Sequence, residues 1–130
     1  MKIAIIGGGP GGLYFALLMK KRYPDYTVTV YERNRAEDTF GFGVVFSDET
    51  LDNLMTYDAE SYAAITREFS YWGEIDFHFH GEVVRSTGHG FCGTERRTLL
   101  MVLQARCQDL GVDLQFSTDV TNLDALGEGD

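Results

Sequence analysis

Three glycines near the start of the chain have the spacing of a phosphate-binding turn. Gly7, Gly9 and Gly12 follow the apolar residues 2–6, and Glu32 comes 20 residues after Gly12. In a G-x-G-x-x-G turn the first glycine allows a sharp bend, the second leaves room for a pyrophosphate, and the third lets a helix approach a strand. An acid at this distance binds the hydroxyls of an adenosine ribose. The predicted chemistry is therefore dinucleotide binding.

The elements needed to position these residues are present in the right order. Residues 2–6 are typical of a buried strand, a helix is expected from Pro10 or Gly11 to about Arg22, and residues 28–31 form the second strand. Proline suits the first helical turn, whose free N–H groups point at phosphates. A carboxylate at Glu32 repels a 2′-phosphate, so FAD or NAD is favoured over NADP.

Composition limits the remaining possibilities. The chain has 130 residues, the length of one domain, and 44% of them are hydrophobic, which indicates a folded core. Its net charge of −9 argues against a nucleic-acid partner, because a phosphate backbone requires a basic surface. No segment is long and apolar enough for a membrane span. The two cysteines lack metal or redox spacing, so we expect free thiols and a cytoplasmic protein, with a disulfide left open.

The rest of the chain predicts further short elements. Residues 40–46 alternate aromatics, glycines and valines, which is typical of a strand with close backbone contacts or of a surface for a flat ring. Ser47 and Asp58 are expected to cap two helices. The remaining predictions are a half-buried hairpin from alternating residues 75–80 and residues 83–85, a helix over 95–110, a strand over 112–116 and a polar end without a packed element.

Three arginines are candidate ligands for a nucleotide. Arg33 could cover an adenine ring by cation–π contact, or it could be a solvated residue at a strand end. Arg96 and Arg97 open a predicted helix, where the helix dipole disfavours cations. A bound phosphate would offset that cost, so one of the pair is a candidate pyrophosphate clamp; the alternative is two exposed arginines.

The three histidines are weaker candidates for a functional site than the arginines. His78 and His80 could share a metal ion, but no third ligand has suitable spacing, so surface histidines are the better interpretation. His89 lies between two glycines and could touch a substrate, although an ordinary loop residue is favoured. We therefore predict no metal site, and the catalytic residues stay unidentified.

Taken together, these motifs make the chain resemble the N-terminal part of a class A flavoprotein aromatic hydroxylase. Within that group it is most similar to the branch of salicylyl-CoA 5-hydroxylase and aminobenzoyl-CoA monooxygenase. The resemblance spans essentially the whole chain and rests on residues 5–13, 31–34, 41–48, 90–93 and 96–100. The first of these motifs is common among FAD proteins, whereas the third and fourth are much more specific.

The resemblance implies FAD as the bound dinucleotide. It also implies NADH or NADPH as electron donor, and hydroxylation of an aromatic substrate, or of an aromatic acyl-CoA, through a flavin hydroperoxide. The family places Arg96 on the FAD, the Val120 backbone on the adenine, and Gly43, Val44 and Val45 near the isoalloxazine. The complete set of expected cofactor-binding residues is Gly7, Gly9, Pro10, Gly11, Gly12, Glu32, Arg33, Gly43, Val44, Val45, Arg96 and Val120.

The expected fold is an incomplete Rossmann-like FAD-binding fold of the α/β class. It consists of a parallel sheet with helices and a small antiparallel β hairpin. Residues 1–130 would be the N-terminal part of the FAD domain, and the family's Asp-Gly motif and substrate domain would lie beyond Asp130. We therefore expect the 130 residues alone to be inactive and at best weakly flavin-binding. The alternatives are another FAD oxidoreductase, such as a reductase or halogenase, and a non-catalytic nucleotide-binding module.

Overall fold

The computed structural model describes residues 1–127 and divides into two compact units. The first unit contains residues 1–41 together with the chain from residue 96 onward, and the second contains residues 42–95. The strands are β1 (Lys2–Ile6), β2 (Thr27–Tyr31), β3 (Gly43–Ser47), β4 (Ser70–Trp72), β5 (Ile75–Phe79), β6 (Glu82–Ser86), β7 (Phe91–Glu95) and β8 (Asp113–Gln115). The helices are α1 (Pro10–Arg22), α2 (Asp48–Tyr57), α3 (Ala59–Thr66) and α4 (Arg96–Leu110), with a 3-10 helix at Leu123–Leu126.

A parallel sheet forms the centre of the first unit. Its strand order is β1-β2-β8, and Ile5 lies opposite Val30, which in turn lies opposite Leu114. Helices α1 and α4 pack against each other and against this sheet. The buried core residues of the unit are Leu13, Ala16, Leu17, Val28, Val30, Leu99, Leu100, Leu103, Cys107 and Val112. The predicted α/β fold with a parallel sheet is confirmed. Within residues 1–127, β1 and β8 are the two edge strands of this sheet.

The glycine turn joins β1 to α1 as predicted. Gly7 has a φ of +107°, which favours glycine, and its N–H donates to the Tyr31 carbonyl at 2.8 Å. A Cβ added to Gly12 would lie only 2.1 Å from the Gly7 carbonyl oxygen. Because no side chain fits in that distance, glycine at position 12 is what permits the close approach of α1 to the turn.

The second unit is built on an antiparallel sheet with strand order β3-β7-β4 and on the separate hairpin of β5 and β6. Its helices begin at the predicted caps. The Ser47 hydroxyl accepts a hydrogen bond from the Thr50 N–H at 3.4 Å, and the Asp58 carboxylate accepts one from the Ser61 N–H at 3.3 Å. The predictions of two capped helices and of an antiparallel hairpin are therefore confirmed.

The antiparallel sheet itself departs from the sequence analysis. The strand expected over residues 40–46 begins only at Gly43, because Gly41 has a φ of +92° that interrupts extended backbone. Strands β4 and β7 were not predicted. Strand β7 contains Gly93, against which the Trp72 ring packs so closely that an added Cβ would lie 3.1 Å from it. Glycine has a low strand propensity, so the residues around Gly93 do not predict a strand. Pairing with strands that are distant in sequence determines the conformation of β7.

The hairpin is more exposed than its alternating pattern predicted. Phe77 and Phe79 are 55% and 70% exposed, so the expectation of a half-buried strand is wrong. His80 does not belong to the strand either. It has a φ of +48° and is followed by Gly81 at +81°, which makes the pair a two-residue turn of the kind that suits hairpins.

The end of the described chain also differs from expectation. A 3-10 helix occupies Leu123–Leu126 where a polar segment without a packed element was predicted, and the Asn122 side chain caps it by accepting a hydrogen bond from the Asp124 N–H at 2.9 Å. The expected interruption of the fold at Asp130 lies outside the described residues. No helix in the described part of the chain combines the length and apolarity needed to cross a bilayer.

Candidate dinucleotide-binding site

A cleft of about 380 Å³ lies in the first unit where β1 and β2 end. The carboxyl ends of parallel strands are where α/β folds bind ligands, because loops there can converge on one point. The residues that line the cleft are Ile6, Gly7, Tyr31, Glu32, Arg33, Asn34, Thr118, Asp119 and Val120. Gly7, Glu32, Arg33 and Val120, all predicted from sequence, are thus brought together.

The start of α1 has the features of an anion site. Gly9 occupies the N-cap without a side-chain cap, Pro10 follows in the first turn, and no acidic residue lies there. A Cβ added to Gly9 or to Gly11 would meet no atom within 4 Å. Within residues 1–127 there is therefore space for a ligand beside Gly9 and Gly11, where the free N–H groups and the helix dipole favour a phosphate. These residues fit a pyrophosphate.

Glu32 is held by three hydrogen bonds. One carboxylate oxygen, Oε2, accepts from the Gly8 N–H at 2.7 Å, and Oε1 accepts from the N–H and the Nδ2 of Asn34 at 2.9 and 3.1 Å. A Cβ at position 8 would lie 3.0 Å from the Glu32 Cβ, so a larger residue there would displace the Glu32 side chain by a few tenths of an ångström. The sequence analysis missed Gly8 and Asn34. The sequence could have predicted the role of Asn34, because an asparagine side chain often forms a hydrogen bond with a group a few residues away, here the acid two residues earlier.

The segment after β8 forms the opposite wall of the cleft. The Ser117 N–H donates to the Asn34 carbonyl and the Thr118 N–H to the Glu32 carbonyl, each at 2.9 Å. A second cleft of about 230 Å³ shares Tyr31, Thr118, Asp119 and Val120 with the first and extends to the 3-10 helix. Long-range contacts thus bring Val120 into the lining of both clefts, and its contact with an adenine stays a prediction.

The predicted arginines have different surroundings. Arg33 is exposed and lines the cleft, whereas Arg96 is half-buried with its Cδ 3.7 Å from the position that a Gly41 Cβ would take. Arg97 is exposed. Within residues 1–127 the guanidinium groups of Arg33, Arg96 and Arg97 have no hydrogen bond or ion pair. Arg96 is thus a half-buried cation at a helix start, an arrangement that a phosphate would stabilise.

Gly43, Val44 and Val45 belong to strand β3 of the second unit. A Cβ at Gly43 would lie 3.2 Å from the Thr94 carbonyl oxygen, so the strands approach closely there. Val44 is half-buried, and Val45 is 61% exposed. Their role beside an isoalloxazine ring stays a prediction.

The two cysteines are buried free thiols. Cys107 donates to the Leu13 carbonyl at 3.2 Å, and burial raises its pKa from 9.0 to about 12. Burial also raises the pKa of Cys92, whose thiol donates to the Phe46 carbonyl. Both thiols therefore stay protonated near neutral pH and act as core groups.

The three histidines lie in the second unit, and all three are exposed. His78 and His80 are exposed on the hairpin, and among the described residues no cluster of histidine, cysteine and acidic side chains could hold a metal ion. His89 lies 2.6 Å from the Ser86 hydroxyl through Nε2, with its ring beside Phe91. Its contact with a substrate stays a prediction.

Comparisons with known proteins agree with this geometry. Residues 5–63 match the family model of the NAD(P)-binding Rossmann-like domain. The chain is 45% identical over its whole length to salicyloyl-CoA 5-hydroxylase from a Streptomyces species, of which it covers 25%. It is 31% identical over 91% of its length to protodeoxyviolaceinate monooxygenase of Chromobacterium violaceum, of which it covers 32%. The chain thus spans about a quarter to a third of these relatives.

Solved structures share the fold. The structure of 2-methyl-3-hydroxypyridine-5-carboxylic acid oxygenase superposes with a TM-score of 0.76 at 21% identity, over 89% of this chain and 31% of that one. CtdE in complex with FAD and a substrate superposes with a TM-score of 0.74 at 18% identity, over 94% of this chain and 31% of that one. These structures support the fold, and the 45% identity to salicyloyl-CoA 5-hydroxylase confirms the predicted resemblance to the salicylyl-CoA 5-hydroxylase branch of the flavoprotein aromatic hydroxylases.

Proposed function

We propose that this chain is the FAD-binding part of an NAD(P)H-dependent monooxygenase that hydroxylates an aromatic acyl-CoA such as salicylyl-CoA. The observation that carries the proposal is the 45% identity to salicyloyl-CoA 5-hydroxylase over all 130 residues. The cleft beside the glycine turn supports it, because its lining combines an open helix N-terminus with a fixed carboxylate. Bound FAD, reduced by NADH or NADPH, would supply the oxygen activation that ring hydroxylation requires.

The residues of the first unit would divide the work of binding. Gly9 and Gly11 leave the backbone at the start of α1 open to the pyrophosphate, Pro10 fixes the first helical turn, and the Arg96 guanidinium adds a positive charge. Glu32 accepts from the ribose hydroxyls, while Arg33 and Val120 contact the adenine. The carboxylates of Glu32 and Asp119 both line the cleft and would repel a 2′-phosphate, which favours FAD over NADP at this site.

The activity is tested on the full-length protein that carries this sequence. We expect purified protein to contain FAD, to consume NADH or NADPH when salicylyl-CoA is added, and to yield a product with one added oxygen atom. Consumption of NAD(P)H with a different product would favour another FAD oxidoreductase, such as a reductase or halogenase. Bound FAD without any turnover on aromatic acyl-CoA substrates would favour a nucleotide-binding module.

The cofactor site has a sharper test at Gly9. Its φ of −73° is open to any residue, and an added Cβ meets nothing within 4 Å, so Gly9→Ala should change the free energy of unfolding by less than about 0.5 kcal/mol. If the pyrophosphate approaches this backbone, the methyl group should weaken FAD binding at least about tenfold. Fluorescence titration with FAD and urea unfolding give the two numbers. Unchanged FAD affinity in a folded variant would contradict the site.

A further inference from the structure

The hydrogen bonds around Glu32 identify a residue that the glycine motif does not include. Resting on the proposed function, we infer that Asn34 is a positioning residue that fixes the Glu32 carboxylate for the ribose and joins the two walls of the cleft. The family motif points to Glu32 as a ligand of FAD. The geometry around Asn34 points instead to a role exerted through Glu32.

The side chain of Asn34 orients one oxygen of the carboxylate. Its Nδ2 lies 3.1 Å from Glu32 Oε1, and its backbone N–H lies 2.9 Å from the same atom. A carboxylate has about four acceptor positions, two on each oxygen. Oε1 is therefore filled by Asn34. Among the described residues Oε2 accepts from Gly8 alone, at 2.7 Å, and it keeps capacity for a ribose hydroxyl.

The backbone of Asn34 connects this carboxylate to the far wall. Its carbonyl accepts from the Ser117 N–H at 2.9 Å, and Ser117 has a φ of +51°. The next N–H, that of Thr118, donates to the Glu32 carbonyl. Residues 32–34 and 117–118 are thus tied directly together, and Asp119 and Val120 follow at once in the cleft lining.

The chemistry explains why an amide is needed at this position. Alanine would remove one donor to Oε1 and leave the N–H groups of Gly8 and of residue 34 in place. Two hydrogen bonds instead of three would then hold the carboxylate, and its orientation would be less restricted. Aspartate has the same shape but lacks the donor, and it would place a second carboxylate about 3 Å from the first. We expect FAD affinity to fall about tenfold in Asn34→Ala and further in the isosteric Asn34→Asp.

The experiment is a double-mutant cycle on the full-length apoprotein, titrated with FAD and followed by flavin fluorescence. The variants are Asn34→Ala, Asn34→Asp, Glu32→Ala and the double alanine variant. Gln115→Ala is the matched control, because its amide also donates to a carboxylate, that of Asp113 at 2.7 Å, outside the cleft lining. If Asn34 acts through Glu32, the double variant should bind FAD no more weakly than Glu32→Ala.

A second measurement separates positioning from general support of the fold. The titrations are repeated with an FAD analogue whose adenosine carries a 2′,3′-dideoxyribose. The tenfold penalty of Asn34→Ala should disappear with this analogue, since the hydroxyls that Glu32 accepts from are gone. A residue that only holds the loop together would weaken both ligands equally.

The possible failures are distinguishable. If wild-type protein does not bind FAD, the proposed function fails, and the inference fails with it. If wild-type protein binds FAD and the penalties of Asn34→Ala and Glu32→Ala simply add, or if Asn34→Ala and Asn34→Asp both bind within twofold of wild type, the role of Asn34 is overturned while the FAD site stands.

Discussion

The two units of this protein bury their apolar residues to different extents. In the first unit Leu13, Ala16 and Leu17 are fully buried, and Val28 and Val30 are 1% exposed. Its exposed large apolar side chains, outside this core, are Met1, Ile6, Phe15, Tyr23, Phe40, Met101 and Leu123. In the second unit Leu51, Leu54, Ile65 and Cys92 are buried, but a large set of apolar side chains is exposed: Phe42, Val45, Met55, Tyr57, Tyr71, Phe77, Phe79, Val83 and Val84. Helices packed on a parallel sheet enclose a core, whereas the hairpin of the second unit leaves both of its strands open. Side-chain burial should therefore govern stability mainly in the first unit.

The largest effect that tests this contrast is expected at Gly12. In Gly12→Val the new Cβ would lie 2.1 Å from the Gly7 carbonyl oxygen, which is backbone and cannot move without displacing α1 from the sheet. We expect a loss of more than about 3 kcal/mol in the free energy of unfolding and no FAD binding in the full-length protein. Circular dichroism during urea unfolding and the flavin content measure the two effects. A stable variant that retains its flavin would refute the close approach.

A matched pair of valines compares the units directly. Val30 is 1% exposed in β2 of the first unit, and Val83 is 55% exposed in β6 of the second. Val30→Ala should cost about 2 kcal/mol, because two buried methyl groups are lost and a cavity is left, whereas Val83→Ala should cost less than about 0.5 kcal/mol. Urea unfolding of both variants checks the difference. Equal costs would mean that the exposed hairpin is buried in solution.

The third comparison of the two units concerns pH and their buried thiols. The pKa of Cys107 is raised from 9.0 to about 12 in the folded state, so the protonated thiol contributes stability that is fully present below pH 9 and is lost as the pH rises toward 12. By pH 10 this amounts to about 1.4 kcal/mol. Wild-type protein should therefore lose that much more stability than Cys107→Ala between pH 8 and pH 10, as measured by urea unfolding. An equal loss in the two proteins would show that the thiol ionises freely while folded.

The corresponding variant of the second unit provides the comparison. Burial also raises the pKa of Cys92, but only that of Cys107 is displaced far from its ordinary value. Cys92→Ala should therefore differ from wild type in its pH dependence by less than Cys107→Ala does. A larger difference at Cys92 would mean that folding raises the pKa of Cys92 further than that of Cys107.

Much of the first unit could be predicted because its signals are local. Strand β1, helix α1 and strand β2 follow one another within 31 residues, and each carries its own apolar pattern and boundary residues. The glycine spacing predicted both the bend at Gly7 and the close contact at Gly12. The caps at Ser47 and Asp58 were predictable for the same reason, since a cap acts on N–H groups three residues away.

The antiparallel sheet could not be predicted because its partners are far apart in sequence. Strand β7 pairs with β3 and β4, and in the first of these pairs Cys92 lies opposite Phe46. A strand that contains glycine has weak local preference, so distant pairing decides its conformation. The hairpin shows the converse error, because alternation predicts which side chains share a face but not whether anything covers that face.

By itself, the sequence determined the turn, the helix that follows it and the acid at the end of the second strand, since backbone sterics and helix propensity act over a few residues. The tertiary structure alone decided what surrounds that acid. It brought Gly8 to one carboxylate oxygen of Glu32 and residues 117 and 118 to the backbone beside it. Those contacts join segments separated by 24 or more residues, and only the packing of the sheet and of helices α1 and α4 brings such segments within hydrogen-bond distance.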